Sequence, residues 1–162
     1  DSGYETIWVL EDDFEVVQDP RLLSEFIKKL DEVVGAGNWD ILFTDRDLRD
    51  DRGECVTVHW AGKRPDYTCF TREKNFSLRE KVSPDFNRVA ARLEKYSMII
   101  RRSGIQKLLR FFYAHQIFFP YEMEMILPRG INLYSLNQDI VSNIVRAPSD
   151  RKQPNYLKKS FH

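Results

Sequence analysis

The chain is poor in the residues that would tie it to thiol, zinc or nucleotide-loop chemistry. Cys55 and Cys69 are its only cysteines among 162 residues. With no C-x-x-C and no Cys/His cluster, a thiolate zinc site is excluded, and a reducing compartment fits, with a single disulfide still open. His59, His115 and His162 show no metal-ligand spacing. There is no P-loop, no G-x-G-x-x-G, no G-x-S-x-G elbow, no internal repeat and no low-complexity run. No window of about eighteen apolar residues is present, so no transmembrane helix is expected, and the N-terminus lacks the basic-then-apolar order of a signal peptide. Asp1 in place of an initiator methionine reads as a processed or excised piece. A formal net charge of +0 argues against a nucleic-acid binder driven by bulk charge.

What is present is a globular composition, 42% hydrophobic and 13% aromatic, at the length of one domain. Charge is unevenly placed. Residues 1–20 carry seven acids and no Lys or Arg, whereas residues 63–110 carry thirteen basic residues against five acids. An acidic edge beside a basic body suits a cation and a phosphorylated ligand held side by side, or ordinary surface charge.

The most pointed feature is Thr6-Ile7-Trp8-Val9-Leu10-Glu11-Asp12-Asp13, an apolar run that ends in three acids. A run without alternation predicts a strand covered on both faces, and ligands of open α/β sheets bind where such strands end. Adjacent carboxylates repel unless a cation or sugar hydroxyls use them, and alternation along the backbone turns Glu11 and Asp13 to one side and Asp12 to the other. A metal would therefore meet Glu11 and Asp13, or Asp13 alone. The bland alternative is a solvated turn leading to a helix.

Asp19-Pro20 predicts a helix start, and Leu22, Leu23, Phe26, Ile27, Leu30, Val33 and Val34 recur at helical spacing until Gly35. Trp39 to Phe43 is the next strand, so strand, helix and strand imply a parallel pair with both acidic ends on one edge. Asp45-Arg46-Asp47 is a second-rank site; Arg46, Arg49 and Arg52 nearby favour a self-neutralising surface loop. Glu54 to Trp60 alternates like a half-buried strand, and residues 61–88 form the least regular part. Arg88 to Arg101 predicts one long or two short strands; Ser103 caps a helix with Ile105, Leu108, Leu109 and Phe112 inward; and Ile131 to Leu136 is a final strand followed by Asp139. Glu122 and Glu124 lie in an aromatic setting that would raise a carboxylate pKa as a general base needs, or else on a short helix with its acids in water.

Three stretches together resemble glycosyltransferase family 25, which includes bacterial lipooligosaccharide and animal collagen galactosyltransferases. They are Trp8-Val9-Leu10-Glu11-Asp12-Asp13, Asn38-Trp39-Asp40-Ile41-Leu42-Phe43, and the segment from Tyr96 through Ser103-Gly104 and Lys107 to Leu109, in the family's order over about residues 6–127. The resemblance implies an α/β fold of GT-A type, a mixed sheet flanked by helices. It also implies inverting transfer of galactose or another hexose from a nucleotide sugar, UDP-linked above all, to a cell-surface glycan such as lipooligosaccharide.

By the same resemblance, Glu11, Asp12 and Asp13 bind the donor and a divalent cation, manganese or else magnesium. Glu122 stands where the family often has Asp, which leaves the base open between Glu122 and Glu124. The family carries roughly half a domain before its E-D-D strand, so residues 1–145 are expected to be the C-terminal part of the fold, without the nucleotide-binding half, and 146–162 a basic tail. The implied location is the cytoplasm, with peripheral association at the inner face of a membrane as a variant. Two other classes compete: a non-catalytic module that kept the fold, and a metal-dependent nuclease using the acids with Lys74, which the zero net charge disfavours.

Overall fold

The computed structural model describes residues 3–12, 14–50, 52–57, 64, 76–93 and 96–143. Helix α1 (Leu22–Val34) forms as its spacing predicts, with Leu23, Phe26 and Leu30 buried. The Asp19 carboxylate accepts from the Arg21 N–H at 2.9 Å, and the Asp19 carbonyl accepts from the Leu22 N–H, so Asp19 opens the turn that leads into the helix. Gly35 closes it at φ 91, a conformation that disfavours a side chain, and a Cβ there would stand 2.8 Å from Asn38 Nδ2. That Asn38 amide donates to the Val34 carbonyl and satisfies one of the carbonyls the helix end leaves open.

Strands β1 (Thr6–Leu10), β3 (Ile41–Phe43), β4 (Arg79–Lys81), β5 (Phe86–Val89), β6 (Ser97–Arg101) and β7 (Leu133–Leu136) make a six-stranded sheet in the order β1-β6-β3-β7-β5-β4. Only β3 with β7 is parallel; the other pairs are antiparallel. Strands β2 (Phe14–Val16) and β8 (Val141–Asn143) form a separate antiparallel ribbon. Helices α2 (Arg102–His115) and α3 (Tyr121–Glu124) complete the described elements.

Alternation along the strands separates two cores, one on each face. Ile41, Phe43, Met98, Ile100 and Leu133 pack with Leu108 and Phe111 of α2. Leu42, Ile99, Tyr134 and Leu136 pack with Leu23, Phe26 and Leu30 of α1 and with Trp39. The molecule is thus α/β, a mixed and mostly antiparallel sheet between helices.

Several expectations change. β1 is an edge strand, hydrogen-bonded only to β6 among the described residues, with Ile7 and Trp8 left 36% and 41% exposed. It is not covered on both faces. β1 and β3 do run in the same direction, but β6 lies between them and antiparallel to both. Its first four residues are buried, and it takes the position where both edges are hydrogen-bonded. Residues 54–57 form no strand, only an isolated bridge from Cys55 to Arg49, and residues 58–60 lie outside the described set. Arg88 to Arg101 divides between the end of β5 and β6, and β8 follows β7. Much of 61–88 is outside the description, but β4 and most of β5 fall within it.

Candidate functional site

Both β1 and β3 end at one edge of the sheet, because Leu10 and Phe43 stand opposite Ser97 and Met98 at the start of β6. The expected convergence of acidic ends therefore holds, although a strand intervenes. Past Leu10, the Glu11 N–H donates to the Tyr96 carbonyl at 2.9 Å, which carries the β1 pairing one residue further. Glu11 and Asp12 are exposed there. Asp13 lies outside the described residues. The chain then turns into β2 before it reaches α1, so the acids sit between the main sheet and the small ribbon and not at a helix entry.

The floor of this edge is polar and buried. Ser97 Oγ accepts from Trp8 Nε1 at 2.7 Å and lies 2.5 Å from Thr44 Oγ1, joining β1, β6 and the end of β3 through one hydroxyl. Thr44 also accepts from the Ile140 N–H at 3.0 Å, which brings the start of β8 to the same edge.

Asp45 and Asp47 are not a solvated loop neutralised by Arg46, Arg49 and Arg52. Both are buried, and their partners come from far along the chain. Arg92 Nη1 contacts Asp45 Oδ1 at 2.9 Å, Arg92 Nε contacts Asp47 Oδ1 at 2.9 Å, and Arg79 Nε contacts Asp47 Oδ2 at 2.9 Å. Arg92 further donates to the Arg46 carbonyl and lies 4.6 Å from the centroid of the Phe43 ring. Burial works against the charge on Arg92, but Asp45 and then Asp47 outweigh it and raise its pKa. For Arg79 burial prevails over attraction by Asp47, with Arg92 adding repulsion, and the pKa falls. Buried and ion-paired in this way, the two carboxylates tie the chain just past β3 to Arg79 and Arg92 and are closed to a solvent-borne metal. Arg46 turns outward instead and pairs with Asp139, Nε to Oδ2 at 3.0 Å.

Glu124 is fully buried. Its Oε1 accepts from the N–H groups of Phe118 and Phe119 at 2.9 and 2.7 Å, and its Oε2 lies 3.5 Å from Arg64 Nε. Arg64 also donates to the carbonyls of His115 and Gln116 just past α2. The pair therefore ties α3 to the segment that leaves α2. It is neither an acid in water nor a base open to solvent. The side chain of Glu122 lies outside the description.

Three sites in the structure went unassigned in the sequence. Buried Asp40 accepts from Ser103 Oγ at 2.7 Å, Lys107 Nζ at 2.7 Å and the Asn132 N–H at 2.8 Å. Ser103 is thus not a side-chain cap of its own helix; its hydroxyl serves Asp40. A Cβ on Gly104 would stand 2.9 Å from the Asp40 carbonyl, so the backbones meet where only glycine fits. The cluster makes W-D and S-G-x-x-K of this chain one contact, at the opposite end of β3 from the acids. An Asp inside an apolar strand was its available signal. Arg92 and Arg64 had none.

The donor set at Glu11 and Asp12 is oxygen only, which suits manganese or magnesium and not a soft metal. Among the described residues no three His, Cys, Asp or Glu side chains are grouped to hold a metal. Glu11 and Asp12 by themselves do not make an all-protein cage, so a hard cation there would need oxygen ligands from elsewhere. A cavity of about 270 Å³, lined by Leu78, Arg88, Ile126, Pro128 and Asn132 among others, opens at the other end of the sheet and contains none of the candidate acids.

No protein-family model, curated protein or solved structure matches this chain.

Proposed function

We propose that the chain is a glycosyltransferase domain of family-25 type and GT-A-like architecture, moving a hexose from a UDP-sugar to a glycan acceptor. The observation that carries this reading is the placement of Glu11 and Asp12, exposed at the strand end where β1 and β3 finish together. The carboxylates of Glu11 and Asp12 face solvent at that edge, whereas those of Asp45 and Asp47 are buried against arginine. The mixed sheet between helices and the three motifs support the same reading.

In this proposal Glu11 and Asp13 hold the cation, with Asp12 turned toward the donor. A bound divalent ion would offset the charge that gathers on a leaving diphosphate. The acceptor hydroxyl needs a carboxylate with a lone pair free to take its proton. Glu124 is fully buried beside Arg64 and closed to an acceptor from solvent, so the role is assigned to Glu122.

Titration calorimetry with UDP-galactose and manganese tests the reading, beside release of UDP in the presence of a glycan acceptor. Heat that requires both nucleotide sugar and metal supports it; no heat and no thermal shift at millimolar ligand sinks it for this chain. The loss of Glu124 to a structural role favours one second reading, a non-catalytic module with the same fold. Donor binding without UDP release would select that reading.

A further inference from the structure

Among the described residues, five large apolar side chains left in water lie on one short stretch. Leu109 is 47% exposed, Tyr113 81%, Ile117 62%, Phe118 58% and Tyr121 37%. α2 buries Gly104, Leu108 and Phe111, so Gln106, Leu109, Arg110 and Tyr113 fall on its outer face, and Ile117 and Phe118 continue that face past the helix end. Tyr121 joins the patch through Phe112, ring centroids 5.9 Å apart. The patch is held rigidly from beneath, since Arg64 lies 5.3 Å from the Phe111 ring and 5.9 Å from that of Phe118, while Glu124 fixes the N–H groups of Phe118 and Phe119. An apolar surface built on a braced turn is not a frayed core edge.

Charge identifies what it meets. From Tyr96 to Tyr121 the chain has no Asp or Glu, against Arg101, Arg102, Lys107 and Arg110. Arg101 pairs with Asp31, Arg102 with Glu5 and Lys107 with Asp40, which leaves exposed Arg110 as the cation beside the patch. Aromatic rings and an aliphatic tip beside a cation match the interfacial zone of a bilayer with anionic headgroups. Among the described residues no helix is long and apolar enough to cross a membrane, so the contact would be one of lying on the surface.

We infer that the outer face of α2 and the turn after it, from Gln106 to Tyr121, dock this protein on anionic lipid. Tyr113 and Ile117 insert at the level of the headgroups and Arg110 contacts phosphate. The inference stands on this patch alone and does not depend on the catalytic reading.

The test is co-sedimentation of the whole chain with phosphatidylcholine vesicles and with vesicles that also contain phosphatidylserine. Binding is expected only with phosphatidylserine and should weaken as salt rises. Tyr113→Ser and Ile117→Ser should each weaken it roughly tenfold, as loss of one inserted side chain implies. Arg110→Glu should remove the preference for the anionic vesicles. All three positions are exposed, and unchanged thermal melting confirms that the variants fold. Failure to bind vesicles, equal binding to both kinds, or binding untouched by these variants would overturn the inference. So would sedimentation velocity showing a dimer that Ile117→Ser dissociates in a protein that ignores vesicles, since a second copy would then be the occupant.

Discussion

Arg92→Met offers the sharpest test of the buried acid pair at the end of β3. The variant keeps most of the side-chain volume and removes a guanidinium whose side chain is 2% exposed. Asp45, itself 0% exposed, loses its ion pair at 2.9 Å, while Asp47 keeps Arg79 at 2.9 Å. Removing one partner of a buried pair typically costs about 3–5 kcal/mol, because the remaining charge is uncompensated. Loss of the contact over Phe43 would add roughly 0.5–2 kcal/mol. The two losses fall on one side chain and are not additive, so a net loss of about 3–5 kcal/mol is expected, against a total stability of roughly 5–15 kcal/mol for a domain. Urea unfolding followed by circular dichroism should show a lower midpoint with an unchanged slope. Melting should fall by roughly 6–20 °C. Asp45→Asn in the Arg92→Met background should cost much less than either change alone, since no bare charge is then left inside. A loss below about 1 kcal/mol, the range of exposed pairs, would refute the reasoning and return Asp45 and Asp47 to a solvated loop.

Other substitutions separate structural from functional roles. Glu124→Gln should lower stability by about 1–3 kcal/mol, because Arg64 loses its counter-charge; a variant that melts like the parent yet loses turnover would restore Glu124 as the base. Asp13→Asn should abolish manganese-dependent heat in calorimetry with UDP-galactose, and retention of that heat would place the cation elsewhere. Asp12→Asn, at an exposed position, should change stability by less than about 0.5 kcal/mol in urea. Gly104→Ala should destabilise by up to about 2 kcal/mol in urea. The added methyl meets the Asp40 carbonyl at 2.9 Å, and overpacking of roughly 1–3 kcal/mol exceeds the gain in helix propensity of about 1 kcal/mol. A stabilised Gly104→Ala would mean that the two backbones can separate freely.

The site was partly legible from local sequence. The run ending in Glu11 and Asp12 announced a strand end, and the second run ending before Asp45 announced another on the same edge, which the pairings with β6 reproduce. The fate of each carboxylate was not legible. Arg46 lies beside Asp45 and Asp47 in sequence but pairs with Asp139, while the arginine that neutralises them is 45 and 47 residues away. Glu124 could be read as a buried base or as a solvated acid, and two backbone N–H groups with Arg64 give it a third role. Proximity along the chain ranks partners poorly once a loop is buried, because burial selects whichever opposite charge the sheet brings within reach.

Sequence by itself determined the local elements of this protein. Helical spacing and Gly35 set α1, apolar runs set β3 and β6, and the missing thiol and phosphate-loop motifs narrowed the chemistry, because these signals act within a few residues. Tertiary structure alone decided that β6 enters between β1 and β3, that Asp40 binds Ser103 and Lys107, and that Asp45 is spent on Arg92 while Glu11 and Asp12 stay in water. Those outcomes depend on which segments compete for one sheet position and which charges share one interior, and neither competition is encoded in any single stretch of the chain.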